Sequence, residues 1–422
     1  MSKIQLRHLA NGLPVILVPH QGTEATCVLA LVRAGSRLES GREGGLSHFL
    51  EHMVFKGTER RPNARDLTQI LDGLGADYNA YTAKEYTGYY IKTASRHLPL
   101  SLDVLSDMLW KSRLEKDEME REKKVIIEEI NMYEDNPLMY IGDVLENALF
   151  SGSALGKLIS GTRQSVSALN REQLTGWWQR YYHPQNMLLA VAGQVSGSAL
   201  KSLNKIFGTK RSAGNLGKFK PFKPAPRSPG VALHFKDTEQ VQLALGFPSY
   251  GWGDRRLLAL KLLATVLGGN MSSRLFVRLR EQEGLCYSIQ AGVEVYAGTG
   301  LLAVQAGLDR QRLDLAIRLI REELAKVTKT GVREDELKLA KEYIRGRLTL
   351  ALEDSAAQAE WYGKRWFMEQ SLESPVAYLQ RLNKVTIGQL KAVAKQVLQP
   401  TKATLALIGP FHDVKPWRKL LD

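Results

Sequence analysis

Two stretches of the chain carry the same punctuation at the same spacing. Glu172–Gly193 reads EQLTGWWQRYYHPQNMLLAVAG and Gly388–Gly409 reads GQLKAVAKQVLQPTKATLALIG, so Leu174, Pro184 and Gly193 match Leu390, Pro400 and Gly409. Each stretch reads as a helix, a proline stop and an apolar strand. A repeated unit of this kind points to two similar halves, with chance similarity of two common helix-to-strand units as the competing reading. The 422 residues suffice for two ordinary domains. Between the halves, residues 210–230 (KRSAGNLGKFKPFKPAPRSPG) are basic and broken by Pro and Gly, and read as a linker with adjoining extended chain. The expected organisation is a first domain over 1–212, a linker over 213–230 and a second domain over 231–422. Helices alternate with strands in both halves, which predicts the α+β class.

The local pattern supports this. QLRHLANGLPVILVP predicts a hairpin turning at Asn11-Gly12. TCVLALVRAGS reads as a strand ending at Gly35, residues 44–56 as a short helix, about 96–110 and 115–134 as longer helices, and 169–182 as a helix before a strand at Asn186–Ala192. The helix over 115–134 stops before Pro137.

Composition narrows the function. No apolar run approaches the roughly 20 residues that span a bilayer, so membrane insertion is not expected. The net charge of +14 could attract nucleic acid or anionic surfaces. The basic residues are dispersed, however, with no zinc-finger spacing or RNP pattern, and a solvated surface without a nucleic-acid partner is the expectation. The start, MSKIQLRHLANG, lacks an apolar secretory core. Bacterial cytoplasm is the expected compartment, or the mitochondrial matrix if a transit peptide has been removed. Cys27 and Cys286 lie far apart in apolar strand-like segments and read as buried free thiols.

The sharpest chemical signal is GGLSHFLEHMVFKGT, with His48, Glu51 and His52. On a helix, His48 and His52 share a face one turn apart, as two zinc ligands must. Glu51 stands beside that face, placed to take a proton from metal-bound water. The competing reading is a helix whose histidines merely cap or pack. A third ligand fits on the helix over 115–134. With about 100° per residue, Glu129 lies between Ile126, Ile130 and Tyr133 on one side and Val125 and Met132 on the other. Glu122 shares this face, while Glu128 lies at its edge. A carboxylate on an apolar face needs a partner or a metal. Glu129 is therefore the candidate ligand and Glu122 a residue orienting a histidine, unless the face borders a wet cleft that solvates both. Strand-like residues Asn79, Ala80 and Tyr81 are candidates for pairing with an extended peptide, or are ordinary sheet residues.

Together these motifs resemble the inverzincin or pitrilysin-type metallopeptidases (M16), most closely the short-chain branch that includes mitochondrial processing peptidase and bacterial relatives. HFLEH carries His48, Glu51 and His52; VIIEEI carries Glu129, 77 residues after His52; Glu122 matches the auxiliary glutamate; YNAYTAKEYTGYY and EEINMYEDNP add to the match. SSRLFVRLREQEGLCYSIQA resembles the segment in which an arginine and a tyrosine seven residues apart, here Arg280 and Tyr287, hold substrate and transition state. The resemblance spans nearly the whole chain. It implies two similar α/β-sandwich domains forming half of a clamshell, with Zn²⁺ on His48, His52 and Glu129 in the first half only. It further implies a peptidase acting on unfolded peptides or presequences, working as a homodimer or as a heterodimer with an inactive homologue. A non-catalytic structural or regulatory subunit is the alternative, which the complete set of motif residues disfavours.

Overall fold

The computed structural model describes residues 4–195, 197–209, 216–222 and 230–421. It contains two sheets. The first has the order β1-β2-β6-β3-β5-β4, from β1 (Gln5–His8), β2 (Pro14–Pro19), β3 (Ala25–Val32), β4 (Asp77–Thr82), β5 (Thr87–Ala94) and β6 (Met187–Gly193). The second has the order β7-β11-β8-β10-β9, from β7 (Gly230–Phe235), β8 (Gln240–Ser249), β9 (Cys286–Tyr296), β10 (Thr299–Asp309) and β11 (Thr404–Gly409). β2 runs parallel to β6, and β7 parallel to β11. Every other pairing is antiparallel in both sheets. Without β1, the first sheet has the same order and directions as the second. This is the duplication that the repeated helix-to-strand units predict.

Those units match in detail. Helix Arg171–Tyr181, a 3₁₀ turn at Pro184–Asn186 and β6 correspond to helix Ile387–Val397, a 3₁₀ turn at Pro400–Lys402 and β11. Both helices open with a capping box, Asn170 with Gln173 and Thr386 with Gln389. These reciprocal bonds satisfy backbone donors that a helix start otherwise leaves bare. The N-terminal hairpin turns at Asn11-Gly12, where Gly12 takes φ 83.

The chain divides into two compact units that cut across its linear halves. The first comprises Met1–Ile130, Lys157–Phe219 and Thr349–Ser374; the second comprises Asn131–Gly156, Lys220–Leu348 and Pro375–Asp422. The expected domains 1–212 and 231–422 therefore exchange segments. Helix Pro137–Leu149, from the first half, packs in the second unit, and helix Ser355–Glu369, from the second half, packs in the first. Apolar periodicity reports that each helix has a face to bury, but not which sheet receives it. Of the expected linker, 213–215 and 223–229 lie outside the described residues. Residues 216–222 have neither helix nor strand, yet they are packed: Gly217 N–H donates to Asn186 Oδ1 at 3.1 Å, and the Phe222 ring meets Phe150 edge-on.

Strand period explains the two faces of the first sheet. Val15 and Leu17 of β2, with Val28, Ala30 and Val32 of β3, pack with Phe49, Leu50, Met53, Leu102 and Leu105. The intervening Ile16, Val18, Leu29 and Leu31 pack with Ala359, Tyr362 and Phe367 of helix Ser355–Glu369. Burial on both sides is why these strands read as continuous apolar runs. In the second unit, Ile141, Leu145 and Leu149 of helix Pro137–Leu149 cover Ala244, Leu301, Ala406 and Ile408. A Cβ on Gly246 would stand 2.9 Å from the Leu145 methyls, so this glycine permits the close approach. Helices Leu257–Gly268 and Leu313–Thr330 pack on strands of the second sheet. Among the described residues, no helix is long and apolar enough to cross a membrane.

Candidate metal centre

Helix Leu46–Met53 sorts its residues by helical period. Leu46, Phe49, Leu50 and Met53 are buried in the core, following the i, i+3, i+4, i+7 pattern. Their neighbours His48, Glu51 and His52 carry the polar chemistry. The helix starts at Gly45, which has φ 87 and no side-chain cap of its own. A Cβ there would meet the Ser160 carbonyl at 2.5 Å, so glycine is required both conformationally and sterically. Glu39 supplies the missing cap from upstream, accepting N–H bonds from Gly45 at 2.9 Å and Ser47 at 2.8 Å. Burial pushes its carboxyl up to about 7, although these N–H bonds work the other way. The sequence gives little warning of Glu39, because it lies too far upstream for ordinary capping spacing.

Helix Lys116–Asp135 brings the opposing carboxylates. Met119, Glu122, Ile126 and Ile130 form its buried stripe. Glu129 lies beside that stripe with its side chain 25% exposed. The expected apolar face is thus narrower than its residues suggest, since Val125 is 50% and Met132 54% exposed. Glu129 borders the core rather than sitting in the middle of a buried face. Glu128 is exposed.

The two helices bring three potentially ligating side chains together. His48 Nε2 and His52 Nε2 are 3.3 Å apart; Glu129 Oε1 lies 3.6 Å from the former and Glu129 Oε2 3.4 Å from the latter. Tetrahedral Zn²⁺ with ligands at about 2.0–2.1 Å has edges of about 3.3–3.4 Å. The histidine pair stands at such an edge distance, the Glu129 carboxylate closes on it to within 4.8 Å, and the His₂Glu donor set suits a zinc ion with one position open. Among the described residues, His48, His52 and Glu129 form the one group of three or more such side chains close enough to share a metal.

Surrounding groups set the charge and orientation of this cluster. His52 Nδ1 donates to Glu122 Oε1 at 2.9 Å, and Lys56 Nζ reaches Glu122 Oε2 at 2.6 Å. This chain fixes the His52 ring with Nε2 toward His48, as a ligand requires. Lys56, within VFKGT, was not singled out by its sequence context. Burial works to raise the Glu122 carboxyl, but hydrogen bonds with His52 and Lys56 prevail and hold it below the usual carboxylate range. Burial likewise works to lower His52, but Glu122 and Glu129 prevail and raise it to about 9. The close imidazoles of His48 and His52 hold Glu129 far below the usual range. Among the described residues, buried His48 Nδ1 has no hydrogen-bond partner, so the two histidines are supported unequally.

The remaining candidates fall on two elements. β4 is the edge of its sheet, and helix Leu46–Met53 packs against it. Asn79 Oδ1 accepts the Ala80 N–H at 2.8 Å, while the Tyr81 hydroxyl donates to Glu360 Oε1 at 3.3 Å. Asn79 and Ala80 are thus at an edge, but the Tyr81 side chain is engaged by helix Ser355–Glu369. Arg280 and Tyr287 belong to the second unit. Arg280 lies in a π-helix, Phe276–Gln282, and its guanidinium stacks 4.7 Å from the Phe276 ring centre and 4.9 Å from that of Tyr287. Tyr287, on β9, is 81% exposed. π-Helical turns often occur at functional sites, and the sequence pattern did not announce this one. Both cysteines are free: Cys27 is buried, its thiol pushed by burial up to about 12, but Cys286 is only half-buried because it opens the edge strand β9.

Comparison with known proteins agrees with this organisation. The profile described as insulinase (peptidase family M16) matches residues 15–163, and that of the peptidase M16 inactive domain matches 168–344. An uncharacterized zinc protease of Bacillus subtilis is 34% identical over 404 residues, covering 96% of this chain and 98% of its own. Another, from Mycobacterium leprae, is 35% identical over 411 residues, covering 96% and 92% respectively. The crystal structure of a Helicobacter pylori protease shares the fold with a TM-score of 0.89 at 23% identity, covering 97% of this chain and 99% of that one. With relatives this similar along nearly its whole length, the chain belongs to peptidase family M16.

Proposed function

We propose that this protein is a zinc-dependent endopeptidase that hydrolyses unfolded peptides or presequences. The carrying observation is the convergence of His48 Nε2, His52 Nε2 and the Glu129 carboxylate at 3.3–3.6 Å. His48, His52 and Glu129 would hold the ion, with Glu122 and Lys56 fixing His52. A bound Zn²⁺ would supply Lewis acidity toward the scissile carbonyl and its attacking water. Glu51 would accept the water proton and return it to the leaving amine. The edge of β4 at Asn79 and Ala80 would pair with an extended main chain, which accounts for a preference for unfolded substrate. Arg280 and Tyr287 would hold substrate and stabilise developing negative charge. Assembly as a homodimer, or as a heterodimer with an inactive homologue, belongs to the same proposal. A mixed library of unstructured peptides tests it. Cleavage should occur inside the peptides, stop when zinc is chelated and return when zinc is restored. Activity unaffected by removal of all bound metal would reject the reading.

A further inference from the structure

The general base of a hydrolase needs one carboxylate oxygen aimed at water, and a glutamate with three side-chain torsions does not aim itself. Glu51 accepts a hydrogen bond at Oε2 from Thr82 Oγ1 at 2.5 Å. Among the described residues, Thr82 is the only hydrogen-bond partner of Glu51. The bond takes one oxygen and leaves Oε1 free.

The donor stands on a well-fixed support. Thr82 ends β4 opposite Thr87 of β5. The connection between them is closed by the Ala83 N–H on the Tyr86 carbonyl at 2.8 Å. Each of its neighbours is tied down: Thr87 Oγ1 donates to the Ala34 carbonyl at 2.8 Å, Lys84 Nζ to the Lys157 carbonyl at 2.7 Å, and Glu85 pairs with Arg37 in a buried ion pair. A hydroxyl so placed holds its acceptor in one rotamer rather than following it. Thr82 also shares its strand with Asn79 and Ala80, so the edge offered to a peptide and the orientation of the base depend on one element.

We infer that Thr82 is a positioning residue, whose hydroxyl holds Glu51 with its second oxygen directed to the attacking water. This rests on the reading of Glu51 as the base. The test compares Thr82→Val, which keeps shape and strand preference, with Thr82→Ser, which keeps the hydroxyl. Both are made in the full chain loaded with zinc and assayed on one unstructured peptide. Thr82→Val should lower kcat about tenfold or more, with KM changed less than about twofold, while zinc content and the thermal midpoint stay as in wild type. Thr82→Ser should recover most of the loss. Crystal structures give an independent readout: Glu51 should occupy one rotamer in wild type and Thr82→Ser, and several in Thr82→Val. An unchanged kcat in Thr82→Val, a loss confined to KM or zinc content, or Thr82→Ser no better than Thr82→Val would overturn the inference. If wild type binds zinc and cleaves nothing, the peptidase reading fails, and a single Glu51 rotamer in Thr82→Val would still overturn the role of Thr82.

Discussion

His52 illustrates how neighbouring charges prepare a ligand. Glu122 and Glu129 raise its imidazole to about 9, so at pH 7 the ring is protonated before an ion arrives. Glu129 is already ionised there, since the histidines hold its carboxyl far below the usual range. Zinc requires the neutral ring, and uptake at pH 7 should therefore expel about one proton from His52. Apparent affinity should rise about tenfold per unit from pH 7 toward 9 and level off above it. Titration calorimetry in buffers of different ionisation heat measures this directly, and zinc uptake at pH 7 without proton release would contradict it. At this scale the sequence was partly legible. Helical period placed His48 beside His52 and Glu122 beside Glu129, because one turn of helix is a local property. It did not reveal Glu39, Lys56 or Thr82, whose partners lie on other elements or at unusual spacing. Nor did it reveal that Val125 and Met132 are exposed, because apolar character alone does not say what a face meets.

Helix Pro137–Leu149 shows where element-level reading ends. Pro137 was legible as the stop of the helix before it, but not as the start of a new helix, and the burial partner of that helix lies about 100 or more residues later, in β8 and β11. Truncating Leu145, buried in one cluster with Ala244 and Ile408 and close against Gly246, should cost about 2–5 kcal/mol through lost burial and the cavity left behind. Leu138 on the same helix is 57% exposed, and Leu138→Ala should change stability by less than about 0.5 kcal/mol. Urea unfolding of both variants provides the comparison. Equal small effects would show that this helix does not anchor on the second sheet. The repeated helices Arg171–Tyr181 and Ile387–Val397 were easier to read. Their caps, proline stops and apolar strands are neighbours in sequence, so local chemistry fixes them twice over.

For the whole molecule, the repeat at Leu174-Pro184-Gly193 and Leu390-Pro400-Gly409 was enough to anticipate two related sheets. The reciprocal exchange of helices Pro137–Leu149 and Ser355–Glu369 was not, because a linear repeat carries no record of which copy receives which helix. The chemistry is unevenly divided between the copies: the HFLEH motif, Glu122 and Glu129 all belong to the first unit. The central claim is that this cluster holds one zinc and that Glu51 serves as the base without being a ligand. Zinc content and peptide turnover, measured on the same samples of wild type, Glu51→Gln and Glu129→Gln, test it most directly. Wild type should carry about one zinc per chain and cleave; Glu51→Gln should keep the zinc and lose about 10²–10⁴-fold in rate; Glu129→Gln should lose both. Near-wild-type cleavage by Glu51→Gln, or full zinc retention by Glu129→Gln, would contradict the account.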